Sequence, residues 1–150
     1  AVAARAALLR EGVPAERLVY YGRSLGAAVT VDLALAHPPR AVVLEAPFAS
    51  VRAMAETVLP GAGYLFRTRW DSLAKVRHLR APLLVLHGDA DEVVPWAQGR
   101  AVFDAAPEPK AFFTIPGGRH YGMEAGWSAY WTAWRRFLAG LPAAAVAPSG

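Results

Sequence analysis

Residues 18–26 constrain this chain more than any other stretch. Leu18-Val19-Tyr20-Tyr21 is a continuous apolar and aromatic run without the alternation of a half-exposed strand, so it predicts a strand buried on both faces. Gly22-Arg23-Ser24-Leu25-Gly26 follows at once. From residue 25 to residue 37 small and aliphatic residues then run over a helical length, until Pro38-Pro39 stops them. A strand that turns this sharply into a helix needs positions without a side chain. Gly22 and Gly26 are expected to supply them, because a Cβ at either would collide with the adjacent strand or helix.

Ala41-Val42-Val43-Leu44, Leu83-Leu84-Val85-Leu86 and Phe112-Phe113-Thr114-Ile115 read as three further buried strands. Helical spacing marks residues 1–10, ended by Glu11-Gly12-Val13-Pro14, then residues 71–78 and 121–138, and helical segments separate the strands throughout. Strands alternating with helices imply an α/β fold, with a mostly parallel sheet of about four strands flanked by helices on both faces. In the last helix Trp127, Tyr130, Trp131 and Trp134 recur every three or four residues, a core-packing stripe.

With 55% hydrophobic residues in 150, the chain can bury one core of ordinary domain size, expected over residues 1–140; residues 141–150 are Ala, Pro, Ser and Gly-rich and read as a frayed tail. An insertion at residues 48–70, interrupted by Pro60-Gly61-Ala62-Gly63, separates the second and third of these strands. Its Met54, Val58, Leu59, Tyr64, Leu65 and Phe66 either line a ligand pocket or face the core. The absence of cysteine excludes disulfides, thiolate metal sites and thiol nucleophiles.

The formal charge of +4 comes mostly from scattered arginines, with Arg135-Arg136 the only adjacent pair, and no nucleic-acid partner is expected. No apolar run approaches the ~20 residues of a membrane span. The chain opens on Ala1 inside a helical pattern; a cytoplasmic location is expected, with any targeting segment upstream of Ala1.

A serine in Gly-x-Ser-x-Gly between a buried strand and a helix is held in a strained conformation that lifts its Oγ above the sheet, while the helix N-terminus favours negative charge nearby. The competing use of Ser24 is as a simple helix cap. A nucleophilic serine needs a base and a carboxylate that orients the base, and on this kind of turn they follow in the order Ser, Asp, His. His37 and His78 precede the third strand and His87 ends it, so His120 is the candidate base. Flexible glycines in Gly117-Gly118-Arg119-His120 are expected to let its imidazole reach across the carboxyl edge of the sheet toward Ser24. For the acid, spacing leaves both Asp89 and Asp91 open.

The stretch His87-Gly88-Asp89-Ala90-Asp91-Glu92-Val93-Val94-Pro95 resembles the His-Gly-x-x-Asp-x-x-Val-Pro motif of α/β-hydrolases, and the resemblance implies Asp91 as the acid. Asp89 is then left to order the turn through its own backbone, and His87 to a structural role. Residues 44–50 and 81–88 are similar to a serine-hydrolase subgroup that includes relatives of acyl-protein depalmitoylases and bacterial hydrolases related to dipeptidyl and prolyl peptidases.

The resemblance implies hydrolysis of a small-molecule ester or thioester through an acyl-enzyme, with peptidase-type chemistry left open. Ser24 would attack, His120 move the proton, Asp91 orient His120, and the Leu25 N–H help form the oxyanion hole. No metal or organic cofactor is required. A serine nucleophile argues against haloalkane dehalogenation, for which the fold normally uses aspartate. The resemblance also places the elbow in the middle of a sheet of about eight strands, so this chain reads as the C-terminal portion of such a domain. Its first strand would then be an open sheet edge suited to self-association, and a non-catalytic module associating through that edge is the alternative.

Overall fold

The computed structural model describes residues 1–61, 63, 70–121 and 127–142. The strands with the most continuous apolar sequence take the middle of the sheet: β2 (Ala41–Glu45) and β3 (Leu83–Gly88) are buried at every position. β1 (Val19–Arg23) and β4 (Lys110–Ile115) flank them. All neighbours pair in parallel in the order β1-β2-β3-β4, with Val19 opposite Ala41, Val43 opposite Leu84 and Leu86 opposite Phe113.

Parallel neighbours require crossovers, and helices supply them. α1 (Val2–Arg10) precedes the sheet, α2 (Leu25–Ala36) joins β1 to β2, and α3 (Val51–Val58) with α4 (Ser72–Val76) lies between β2 and β3. α5 (Trp96–Ala105) joins β3 to β4, and α6 (Trp127–Ala139) follows β4. Alternation along the strands divides the core in two. Val42, Leu44, Leu83 and Val85 pack with Val31 of α2, Val76 of α4 and Val102 of α5 on one face. Val43, Leu84, Leu86 and Ile115 pack with Tyr130, Ala133, Trp134 and Phe137 of α6 on the other.

Three expectations change here. The two outer strands are not buried on both faces: β1 lies at one edge of the described sheet, the place the resemblance gave it, with only Gly22 buried and Tyr21 47% exposed, and β4 at the other edge is buried only at Ile115. An edge strand has one neighbour, so helices that cover the central strands do not fully cover it. The aromatic stripe of α6 divides, with Tyr130 and Trp134 against the sheet while Trp127 and Trp131 are exposed; the stripe is wider than the helix's contact. In the insertion, Met54 packs against a small cluster of Ala28, Phe48 and Val94, whereas Leu59 is exposed. Tyr64, Leu65, Phe66 and residues 143–150 lie outside the described residues.

The turn from β1 into α2 is where backbone geometry is tightest. A Cβ on Gly22 would lie 2.2 Å from Thr30 Oγ1 and 2.4 Å from the Gly26 carbonyl oxygen, so the start of α2 closes onto the end of β1 only if residue 22 is glycine. The expected collision at Gly26 is not found, since apart from its chain neighbours and the backbone of its own helix no atom of the described residues lies within 4 Å of its would-be Cβ. Gly22→Ala is therefore expected to destabilise the fold by about 2–4 kcal/mol, because the opposing atoms include backbone that must move. Gly26→Ala should stay within about 1 kcal/mol of the parent. Urea unfolding of the two variants checks the contrast.

Candidate active site

In a parallel sheet all strands end on the same side, so the loops after β1, β2, β3 and β4 share one edge. Ser24 leaves β1 with φ 51° and ψ −120°, left-handed backbone that a non-glycine residue adopts only under strain of about 1–3 kcal/mol. Its backbone N–H donates to the Glu45 carbonyl at 2.9 Å, which anchors the turn to the end of β2. Its side chain makes no capping hydrogen bond to α2. Ser50 and Asp71, by contrast, cap α3 and α4 through Oγ and Oδ1. The strained backbone of Ser24 thus holds a half-buried hydroxyl at the sheet edge without using it as a cap. Leu25 opens α2, so its N–H is one of the first four in the helix that have no acceptor within it.

The loops after β3 and β4 are brought together by glycine. A Cβ on Gly88 would lie 2.0 Å from the Gly118 carbonyl oxygen, and the Gly118 carbonyl accepts a hydrogen bond from the Ala90 N–H at 3.1 Å. Of the glycines ahead of His120, Gly118 therefore serves close backbone packing, where flexibility had been expected, while Gly117 has open space around it and takes a left-handed φ of 66°. Asp89 also differs from expectation: its Oδ1 accepts the Gly117 N–H at 2.7 Å, tying its turn to the neighbouring loop instead of to its own backbone.

Asp91 and His120 meet at this junction. His120 Nδ1 lies 2.9 Å from Asp91 Oδ2 and 3.1 Å from Oδ1, with both side chains almost fully buried. Asp91 Oδ1 also accepts the N–H groups of Val93 and Val94 at 2.9 and 2.8 Å, which fixes the carboxylate to its own loop. Against a carboxylate acceptor, Nδ1 carries the proton and leaves Nε2 as the basic nitrogen. Glu92, which sequence reasoning missed, accepts the backbone N–H of His120 at 3.2 Å and pairs with Arg119. Its position next to Asp91 in the motif was the only available signal.

β1 and β4 stand at opposite sides of a four-strand sheet, three spacings or roughly 14 Å apart. The loop after β4 crosses much of that distance. The guanidinium of Arg23, next to Ser24, lies 5.5 Å from the ring centre of Tyr121, next to His120, and that ring packs edge-on against the His120 imidazole at 4.9 Å. Behind the turn, buried Glu45 accepts hydrogen bonds from Tyr21 and Tyr130, each at 2.8 Å, and pairs with Arg23 Nε at 3.3 Å. Burial, followed by the Glu45 carboxylate, pushes the Tyr21 hydroxyl well above the ordinary tyrosine range, so it remains a donor. No group of His, Asp and Glu residues among those described is arranged to hold a metal ion.

The comparisons with known proteins agree with this architecture. Residues 62–124 match the family described as serine aminopeptidase, S33. The uncharacterized protein YfhR of Escherichia coli (strain K12) is 37% identical over 117 residues, covering 74% of this chain and 40% of that protein. The α/β hydrolase domain-containing protein aho-3 of Caenorhabditis elegans is 33% identical over 118 residues, covering 75% and 33%. Among solved structures, the esterase domain of a Rhodothermus marinus protein superposes with a TM-score of 0.70 at 24% identity, covering 91% of this chain and 66% of that one. Fold, family match and relatives together place the chain in the α/β-hydrolase superfamily. It spans about one third to two fifths of the length of the curated relatives it matches. No helix among the described residues is long and apolar enough to cross a membrane.

His87 is fully buried beneath this site, and burial holds its imidazole below the ordinary value of 6.5, while the Val94 carbonyl and then Asp91 pull the other way. The unfolded chain therefore binds a proton at His87 more readily than the folded one, and this group lowers stability as pH falls below about 6.5 and is without effect above it. Melting temperatures measured across that window should fall less steeply with acidification in His87→Gln than in the parent.

Proposed function

We propose that this chain carries the catalytic residues of a serine hydrolase that cleaves carboxylic esters or thioesters of small molecules, with Ser24 as nucleophile, His120 as base and Asp91 as orienting acid. The observation that carries the reading is the buried Asp91–His120 hydrogen bond on the sheet edge shared with Ser24. It directs the Nδ1 proton into the carboxylate and leaves Nε2 for chemistry. The strained backbone at Ser24 supports the same reading, since strain of that kind concentrates at functional sites.

In the reaction so read, Ser24 Oγ attacks the acyl carbonyl carbon while its proton passes to His120 Nε2. The Leu25 N–H donates to the oxyanion that forms, and losing one such donor typically costs roughly 10²–10³ in turnover. Collapse of the tetrahedral intermediate breaks the carbon–oxygen or carbon–sulfur bond, and His120 returns the proton to the departing alkoxide or thiolate. Water then attacks the acyl-serine, giving its proton to His120, and release of the acid restores the Ser24 hydroxyl. Asp91 stays ionised throughout and holds the imidazolium in place. The Rhodothermus marinus neighbour of like fold is an esterase domain, which accords with an ester substrate here.

A fluorophosphonate probe tests the assignment. The full chain should label at a single serine, and Ser24→Ala should abolish the labelling; undiminished labelling of Ser24→Ala would refute the nucleophile. Asp91→Asn should lower turnover of p-nitrophenyl acetate by about 10²–10⁴-fold with little change in KM, since it loses the tautomer control the triad depends on.

A further inference from the structure

The imidazole of His87 is fully buried beside the equally buried side chain of Asp91. Its Nε2 lies 2.9 Å from the Val94 carbonyl oxygen and 3.5 Å from Asp91 Oδ2. Both neighbours are acceptors, so Nε2 carries the proton and Nδ1 is the bare nitrogen. Nδ1 is buried and has no hydrogen-bond partner among the described residues.

Two costs are attached to this placement. An unpaired ring nitrogen in the interior loses the hydrogen bond it had in water, and a leucine there would avoid that loss. The second cost falls on α5, where Gly99 stands within the helix although glycine there is unfavourable by about 1 kcal/mol relative to alanine. The ring requires it, since a Cβ on Gly99 would lie 2.0 Å from His87 Nδ1. A residue selected for filling the core alone needs neither cost.

The contacts close a small circuit. Asp91 Oδ1 accepts the N–H groups of Val93 and Val94, the Val94 carbonyl accepts from His87, and the same His87 N–H edge faces Asp91 Oδ2. Oδ2 is the oxygen nearest His120 Nδ1, so the carboxylate sits between two imidazoles. We propose that His87 is a positioning residue that fixes the tilt of the Asp91 carboxylate toward His120 by holding the Val94 carbonyl from below. The proposal rests on the reading of Asp91 as the orienting acid given above. It assigns the histidine of the motif a task distinct from packing: it acts on the base through the acid and touches no substrate.

The test uses the full chain with p-nitrophenyl acetate and compares the parent with His87→Leu, His87→Gln, Asp91→Asn and the double variant Asp91→Asn/His87→Leu. His87→Leu should lower kcat by roughly ten- to a hundredfold, the scale of a small misplacement of a catalytic group, with KM within about twofold of the parent. His87→Gln, whose amide N–H reaches the Val94 carbonyl, should recover most of that loss. In the Asp91→Asn background His87→Leu should add no further loss, since a residue that acts through Asp91 has nothing left to position.

Unchanged kcat in His87→Leu, equal impairment of the leucine and glutamine variants, or losses that multiply in the double variant would each overturn the proposal. Wild-type turnover in Asp91→Asn is a separate result: it refutes the functional reading of Asp91 itself and His87's role with it. Should His87→Leu fail to fold, ¹⁵N NMR of the unsubstituted chain decides, because the proposal requires the neutral Nε2–H tautomer at pH 7 and an Nδ1–H tautomer overturns it.

Discussion

The close backbone approach of Gly88 and Gly118 is the contact on which the arrangement of the candidate site depends. β3 and β4 are adjacent, but adjacency alone leaves their loops free to diverge. With no side chain on either residue, Gly88 packs against the Gly118 peptide, Ala90 donates to the Gly118 carbonyl, and Asp89 captures the Gly117 N–H. The two loops are thereby fixed against each other over a few residues. Asp91 and His120 then meet at hydrogen-bonding distance in a buried setting.

The serine turn is held by the same kind of device at the far edge of the sheet. Gly22 lets α2 begin directly on β1, and the Ser24 N–H bond to the Glu45 carbonyl anchors the turn. Below it, the buried carboxylate of Glu45 joins β1 to α6 through the hydroxyls of Tyr21 and Tyr130 and also holds Arg23. Such a carboxylate is tolerable in the interior because hydrogen-bond donors surround it. Arg23 in turn lies over Tyr121, so the two ends of the sheet edge are joined by packing as well as by chain connectivity.

Much of this was legible in one dimension. The apolar runs at 41–44 and 83–86 read as buried strands, and the tight turn at 22–26 stood between a strand and a helix by composition alone. His120 followed from its place in the chain. Asp91 did not: spacing left it level with Asp89, and resemblance to a family motif chose it. The misreadings share a cause. The burial of β1, the crowding at Gly26, the target of Asp89 and the exposure of Trp127 and Trp131 all depend on what lies across space from a residue. Gly99 and Glu92 were overlooked local signals, the first a glycine within a helix that points to something pressed against it, the second a carboxylate beside Asp91 in the motif.

The chain by itself determined the order of strands and helices, the parallel sheet and the serine turn, because these follow from apolar period, glycine placement and proline stops, all local in sequence. Tertiary structure alone decided which glycine the serine turn cannot lose, that Asp89 binds the neighbouring loop, and that His87 lies against Asp91. Those outcomes depend on distances between residues far apart in the chain, set by sheet register and by backbone contacts that no local pattern encodes.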